Sequence, residues 1–394
     1  MDTVLEVDRT ENASTLDLVK YYSNLKTLSN TEICNVINLH HQRNLTPRQL
    51  KYIREKNQLQ RYDNISMHDL RSIIVNELQT SNSKVGYRQM TEFINVRYNI
   101  LVAKEKVRRL LRILDPEGVQ ERSRNVIRRR IYETLGPNDI CHIDGNDKLK
   151  KWGFCIHGAV DGFSRKLLWL KVSTTNSDPL VVANFYLECV TKHKIVPKCV
   201  RMDRGTENIY IQDLQFFFTN DSESYLYATS TRNQRIESFW SRLKKYRLSW
   251  WITFFKEMEN KRLFKSYLET HIETLVFVFL PILQNELNEF GRAWNSRNVR
   301  QSASAPGGKP DILYIMPQEI GFQNQGLVPS DDDLTVAADV IGIVHCPVEK
   351  NADIYELLEC YCQINNIVRP SDAFTGLDIY VKLLECFERD GFSV

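Results

Sequence analysis

The 394-residue chain is 42% hydrophobic and 26% charged, with a formal net charge of +3. Such a length and composition build two or three packed cores and exclude a disordered or fibrous polymer. The charge is uneven: residues 1–136 carry roughly 23 Lys and Arg against 16 Asp and Glu, about +7, and residues 301–394 roughly 5 against 15, about −10, so any polyanion belongs on the first two-thirds and the tail has a regulatory or protein-contacting character.

Met1 to Asn12 lacks an apolar h-region, so no secretory signal is expected. Thr31 to Gln42 sets Ile33, Val36, Ile37 and His40 on one helical face. Thr46-Pro47-Arg48-Gln49 then reads as a capping box with proline at the first helical position. The helix it opens repeats Leu50, Ile53 and Leu59, with Arg48, Lys51, Arg54 and Lys56 on the outside. Two helices joined by a tight turn, the second basic, describe a helix-turn-helix. A second such unit follows. Ser66 caps a helix through Leu78, Gly86-Tyr87 opens another bearing Met90, Phe93, Ile94 and Tyr98, and Val102 to Leu114 carries Lys104, Lys106, Arg108, Arg109 and Arg112. Charge runs are commonly solvated faces, but the recurrence of basic density on a later helix of two successive units favours DNA contact.

Arg122 to Arg130 is an arginine-rich linker, and Gly136-Pro137 marks a boundary beyond which the periodicity becomes strand-like. Ile140 to Ile143 is a strand ending in Asp144. Phe154 to Val160 and Lys166 to Val172 are two more, joined by the turn Asp161 to Arg165, which Asp161 closes. Pro179 to His193 is a helix, Lys198 to Met202 a strand ending at Asp203, Ile209 to Phe218 a helix, Tyr225 to Ala228 a strand, and Asn233 to Leu248 a helix. Three strands before the first helix predict a mixed sheet with helices on its faces. Beyond Trp250 the chain is helical and apolar through Phe290. Its most apolar run, Leu275 to Leu283, carries Pro281 and falls short of the ~18 residues a membrane span needs. A small-residue loop over Ser302 to Pro310 leads to the acidic run Asp331-Asp332-Asp333 and two late helices, Asp353 to Ile364 and Gly376 to Phe387. No C-x-x-C pair occurs among the nine cysteines, which predicts reduced thiols in an intracellular protein. Cys141, Cys155, Cys189 and Cys199 read as buried small hydrophobes, and His142 and His157 as structural.

Phosphodiester transfer by two metals requires carboxylates converging on Mg²⁺ or Mn²⁺ ions about 3.5–4 Å apart, because hard cations take oxygen ligands. Asp144 and Asp203 at predicted strand ends, and Glu237 early in a predicted helix, supply that pattern. The plainer reading makes the aspartates strand-end caps and Glu237 an exposed helix residue. Glu207, four residues after Asp203, is the rival third ligand. Glu237, Ser241, Lys244 and Lys245 share a helix face, so the lysines can hold phosphates beside the carboxylates or simply be solvated. Phe239, Trp240 and Leu243 read as core.

These contexts resemble the retroviral integrase family of DDE recombinases and transposases. Asp144 and Asp203 are separated by 58 residues, and Asp203 and Glu237 by 33, beside the family's D…D-x(35)-E. Met202-Asp203-Arg204-Gly205-Thr206-Glu207-Asn208 resembles its D-N-G-x-E-F segment. Val160 to Arg165 resembles its strand-turn D-x-x-S-R, and Arg232 to Trp240 the stretch around its helix-borne Glu. The match covers residues 138–250, and the chain as a whole is similar to integrase-core proteins of animals and fungi. Gly86 to Leu111 resembles the helix-turn-helix that precedes the catalytic domain in some insertion-sequence transposases.

The resemblance implies a ribonuclease H-like α/β core with a mixed five-stranded sheet, preceded by all-α helix-turn-helix units and followed by a mainly helical tail. It implies Asp144, Asp203 and Glu237 as catalytic, metal-holding residues, two Mg²⁺ or Mn²⁺ ions, and DNA cleavage and strand transfer by a homo-oligomer acting on element ends and target DNA; that substrate and the Arg122–Arg130 cluster, which can equally be a DNA-contacting linker, make the nucleus the expected location. The family position of Glu207 does not ligate metal. Expected DNA contacts are Arg48, Lys51, Arg54, Lys104, Arg108, Arg109, Arg235, Lys244 and Lys245. The expected segments are 1–28; the helix-turn-helix region 29–121; the basic linker 122–137; the catalytic core 138–250; a helical extension 251–300; and the acidic region 301–394, open to a protein partner. The chain departs from the retroviral pattern in three ways: Cys34, His40 and His41 lack the second Cys and the spacing of a His-His-Cys-Cys module, so no zinc is expected; Arg204 replaces Asn; and no basic SH3-like tail is evident. The alternative is a domesticated, catalytically inactive DNA-binding protein derived from a transposon integrase; an RNase H-type ribonuclease stands third.

Overall fold

The computed structural model describes residues 13–24, 28–60, 62–80, 82, 84–121, 134–227, 233–301, 306–342 and 350–394. The arginine-rich stretch 122–130 and Arg232 therefore lie outside the described residues, as does Ala228. The chain divides into two compact units. One holds the described residues of 1–131, 289–303 and 307–315, and the other those of 132–288, 304–306 and 316–394, the division falling within one long helix.

The first unit is helical: α1 (Thr15–Asn24), α2 (Asn30–His40), α3 (Pro47–Lys56), α4 (Met67–Gln79), α5 (Tyr87–Arg97), α6 (Lys104–Leu114) and the short α7 (Pro116–Glu121). Local chemistry starts these helices where the sequence indicates. Thr46 and Gln49 form a reciprocal capping box on α3, and the Ser66 hydroxyl accepts the Asp69 N–H at the start of α4. Helices α1 to α3 pack together around Leu18, Ile33, Val36, Ile37 and Leu50; α4 to α6 do so around Leu70, Ile74, Phe93, Val107 and Leu111. Leu59 lies beyond α3, which stops at Lys56. The expectation that Arg54 faces outward is corrected. Its side chain is 7% exposed and its guanidinium donates to the carbonyls of Leu59 and Gln60, just beyond α3, and to Asn30 Oδ1.

The second unit holds β1 (Ile140–Asn146), β2 (Cys155–Asp161), β3 (Leu167–Ser173), α8 (Pro179–His193), β4 (Cys199–Met202), α9 (Ile209–Thr219), β5 (Tyr225–Tyr227), α10 (Gln234–Leu243), α11 (Ser249–Asn260) and most of α12 (Glu269–Ser296). The remaining helices are α13 (Pro310–Ile315), in the first unit, and α14 (Asp331–Ile341), α15 (Ala352–Ile364) and α16 (Ala373–Arg389), in the second. The sheet order is β3-β2-β1-β4-β5, with β1 antiparallel to β2, β2 to β3, and β1 and β5 parallel to β4. This is the expected mixed sheet with flanking helices, a ribonuclease H-like core. Among the described residues no helix is long and apolar enough to cross a membrane.

Alternation along the strands sorts the two faces of the sheet. Cys141, Ile143, Val200 and Met202 join Val181, Val182, Phe185 and Tyr186 of α8 in the core on one face. Leu334, Ala337 and Ile341 of α14 enter the same core, so part of the acidic region is built into this unit. His142 and Asp144 alternate to the other face, where α10 lies. The Asp161 carboxylate accepts the Ser164 N–H and hydroxyl and the Asn138 N–H, closing the β2–β3 turn as expected. Gln284 of α12 accepts the Val172 N–H and donates to the Leu170 carbonyl, so one side-chain amide pairs with the outer edge of β3.

Two of the boundaries that differ from the sequence reading bear on the site. Strand β1 runs on to Asn146, so Asp144 lies inside it, paired with Gly158 of β2. The α-helix carrying Glu237 ends at Leu243 and continues through a π-helical turn, Lys244–Leu248, into α11. That turn buries Arg247 and Leu248 and leaves Lys244 and Lys245 exposed.

Candidate active site

The strand register brings two aspartates together. Ile140, Cys141 and His142 of β1 pair with Cys199, Val200 and Arg201 of β4. Continuing that parallel register by two residues sets Asp144 opposite Asp203, both on the face away from α8. Helix α10 lies against this face, and its two ends are fastened to β1. Asn233 meets His142 Nδ1 at 2.6 Å through Oδ1 and donates from Nδ2 to the Ile143 carbonyl at 3.1 Å. Two turns on, Trp240 Nε1 donates to Asp144 Oδ2 at 2.8 Å. Glu237 sits between these anchors, four residues after Asn233 and three before Trp240, with its side chain exposed.

The Trp240 indole reaches Asp144 across Gly158, the cross-strand partner of Asp144. A Cβ at Gly158 would lie 3.0 Å from the tip of the indole ring. The expectation that Phe239, Trp240 and Leu243 are core holds, as all three are buried. Trp240 has in addition a polar bond that burial of its N–H demands.

Electrostatics register the proximity of the three carboxylates. Burial pushes the Asp144 carboxyl up to about 7; the indole N–H of Trp240 and the Gly145 N–H work against this, while Asp203 and Glu237 add to it by repulsion. Burial also raises the Asp203 carboxyl, assisted by Glu207. Among the described residues the Asp203 Oδ1 atom is buried without a hydrogen-bond partner. Glu207 folds back over Gly205, where a Cβ would collide with its carboxylate. Asn208 Nδ2 bridges Glu207 Oε1 and the Asp203 carbonyl, 3.2 Å from each. Among the described residues no three His, Cys, Asp or Glu side chains converge closely enough to hold one ion as they stand. The donor set is all oxygen and suits a hard divalent cation; its three members face one region without closing on a point.

His142 and His157 are buried, each with a pKa lowered to about 3 chiefly by burial, and each has a ring nitrogen in a hydrogen bond, to Asn233 and to Trp169 respectively. Cys141 and Cys155 are buried as expected, whereas Cys189 and Cys199 are only partly so.

The basic residues divide by unit. In the first, Arg48 and Lys51 are exposed on α3, Lys51 3.7 Å from Glu55. Lys104 pairs with Glu92 at 3.3 Å, and Arg108 and Arg109 both reach Glu105. Arg54 is buried, as described. In the second unit Arg235 is half-buried on α10, while Lys244 and Lys245 stand on the π-helical turn. Sequence reasoning missed Asn233 and Trp240 as site-building residues. The only signal is their spacing around Glu237, N-x-x-x-E-x-x-W, which puts Asn and Trp within one helical turn on either side of it.

Residues 131–315 match the family model described as integrase core domain. No curated protein resembles the chain closely enough to match it. Over residues 131–315 the chain is similar to the integrase core domain of the integrase-like recombinase and transposase family.

Proposed function

We propose that this protein cleaves and joins DNA strands at a site formed by Asp144, Asp203 and Glu237, with divalent Mg²⁺ or Mn²⁺. The observation that carries the reading is the parallel register of β1 and β4, whose continuation sets Asp144 opposite Asp203 just past the end of β4, with the helix of Glu237 anchored to β1, within the residues that match the integrase core domain. The orphaned Asp203 Oδ1 and the raised Asp144 carboxyl are what a cation would relieve. When bound, the ions supply a lowered pKa for attacking water or a DNA 3′-hydroxyl and charge neutralisation at the leaving oxygen. Asp144 and Asp203 would hold them from the sheet and Glu237 from the helix. Trp240 keeps the Asp144 carboxylate from turning away, and Lys244 and Lys245 stand on the adjoining turn as counter-charges for phosphates. Such a substrate makes the nucleus the place of action, and paired DNA ends call for more than one copy of the chain.

A second reading, a DNA-binding protein without catalysis, draws on the absence of three converged ligands among the described residues. Strand nicking and joining on labelled duplex DNA, with Mn²⁺ or Mg²⁺, decides between them when the wild type is run beside Glu237→Gln. Activity lost in the variant supports the three-carboxylate site. DNA binding that EDTA leaves intact, with no nicking by either protein, supports the second reading.

A further inference from the structure

We infer that Trp240 is a positioning residue for Asp144, and that its indole N–H sets how tightly the site takes a divalent cation. The inference rests on the proposed three-carboxylate site and adds to it a residue that no carboxylate motif specifies.

Three observations carry it. First, the contact is specific in chemistry as well as distance. Indole nitrogen is a donor only, so the 2.8 Å bond to Oδ2 requires an oxygen that accepts, as the ionised carboxylate does. Second, the ring is held in place. Trp240 is 5% exposed, it packs beside Phe239, and the missing side chain at Gly158 gives it its seat on β2. Third, Trp240 and Glu237 share α10. The same bond that orients Asp144 therefore also fixes the spacing between the strand of one carboxylate and the helix of another. Without that donor, the Asp144 carboxylate loses the bond that fixes its rotation on β1. A buried tryptophan needs some acceptor wherever it lies; the choice of Asp144 as that acceptor makes the contact bear on ligation.

The test is Mn²⁺ affinity of the full chain, read by electron paramagnetic resonance, for wild type, Asp144→Asn, Trp240→Phe and the double variant. Wild type binds and Asp144→Asn loses binding. Trp240→Phe binds on the order of 10-fold more weakly, as outer contacts to ligands commonly do. The double variant, like Asp144→Asn, gives the no-binding baseline, and recovery of affinity by a ring N–H is the readout a purely structural tryptophan would not give. Trp240→His, which keeps a ring N–H, recovers part of the affinity. If Trp240→Phe loses the native circular dichroism spectrum, Trp240→Met takes its place as the variant without a donor. Wild-type affinity in the donorless variant, with binding still lost in Asp144→Asn, overturns the positioning role and leaves the proposed site standing. No difference between wild type and Asp144→Asn overturns the site itself, and the inference with it.

Discussion

Gly158 leaves room beneath Trp240: a Cβ at that position would lie 3.0 Å from the indole tip, 3.3 Å from the Trp169 carbonyl oxygen and 3.4 Å from Leu170 Cδ1. Two of those neighbours are side chains and one is backbone, so the strand cannot give way on all sides. Gly158→Val should cost about 1–3 kcal/mol through overpacking. Urea denaturation checks it, and unchanged stability would contradict a tight seat for the indole.

Asp144→Asn should stabilise the metal-free protein at alkaline pH. The Asp144 carboxyl titrates at about 7 in the fold against an ordinary value of 3.8, because burial and then its carboxylate neighbours oppose ionisation. Between those values the folded chain binds more protons than the unfolded one, so its stability falls as pH rises through that window. The cost is complete above about pH 7 and absent below about pH 4. Partial solvent contact limits it to on the order of 2 kcal/mol. Thermal melts at pH 8 and pH 4 in EDTA should show the variant more stable at the first and equal at the second.

The opposite sign applies to His142 and His157. Both titrate at about 3 in the fold, far below the ordinary 6.5, chiefly because burial disfavours the imidazolium. The unfolded chain therefore takes up protons that the folded chain refuses. Stability should decline as pH falls from about 6.5 toward 3, by up to about 1.4 kcal/mol per pH unit for each histidine. Replacing His157 with Phe should flatten the acid limb of the profile; an unchanged slope would exclude it as a contributor.

Arg54 and Arg48 should separate by assay. Arg54→Ala removes three hydrogen bonds from a buried guanidinium and should destabilise by about 2–3 kcal/mol. Arg48 is exposed at the start of α3, and Arg48→Ala should leave the melting temperature within a degree or two of wild type. Reversal of that order in a thermal melt would refute the structural role assigned to Arg54.

Gln284→Ala removes two bonds from the outer edge of β3, the acceptor for Val172 N–H and the donor to Leu170 O. A loss of about 1–3 kcal/mol is expected, with faster amide exchange at Val172. Unaltered exchange there would mean that the edge does not depend on Gln284.

Much of this was legible in the chain because its signals are local. Capping at Thr46 and Ser66, the Pro179 start of α8 and the turn closed by Asp161 each act within a few residues and fall where the pattern puts them. The alternation that defines β1 to β4 is likewise local, whereas the adjacency of Asp144 and Asp203 was implied by the family resemblance and not by the alternation itself. Strand ends were harder. Nothing in Gly145-Asn146 signals continuation, and β1 extends because β2 is there to pair with it.

What the sequence determined by itself was the order of elements, the mixed sheet and the three carboxylates that stand out by context. Tertiary structure decided matters that depend on pairs far apart in the chain. Arg54 and Arg48 look alike along α3, and Asn30, 24 positions away, together with the carbonyls of Leu59 and Gln60, turns one of them inward. The acidic region reads as a separate tail, yet Leu334, Ala337 and Ile341 of α14 lie in the core with α8, because burial of an apolar stripe outweighs the charge on the opposite side of that helix. Trp240 reads as a core residue, and its bond to Asp144 spans 96 positions. Hydrophobic patterning specifies that such a side chain is buried; only the packed fold specifies which acceptor its single N–H will meet.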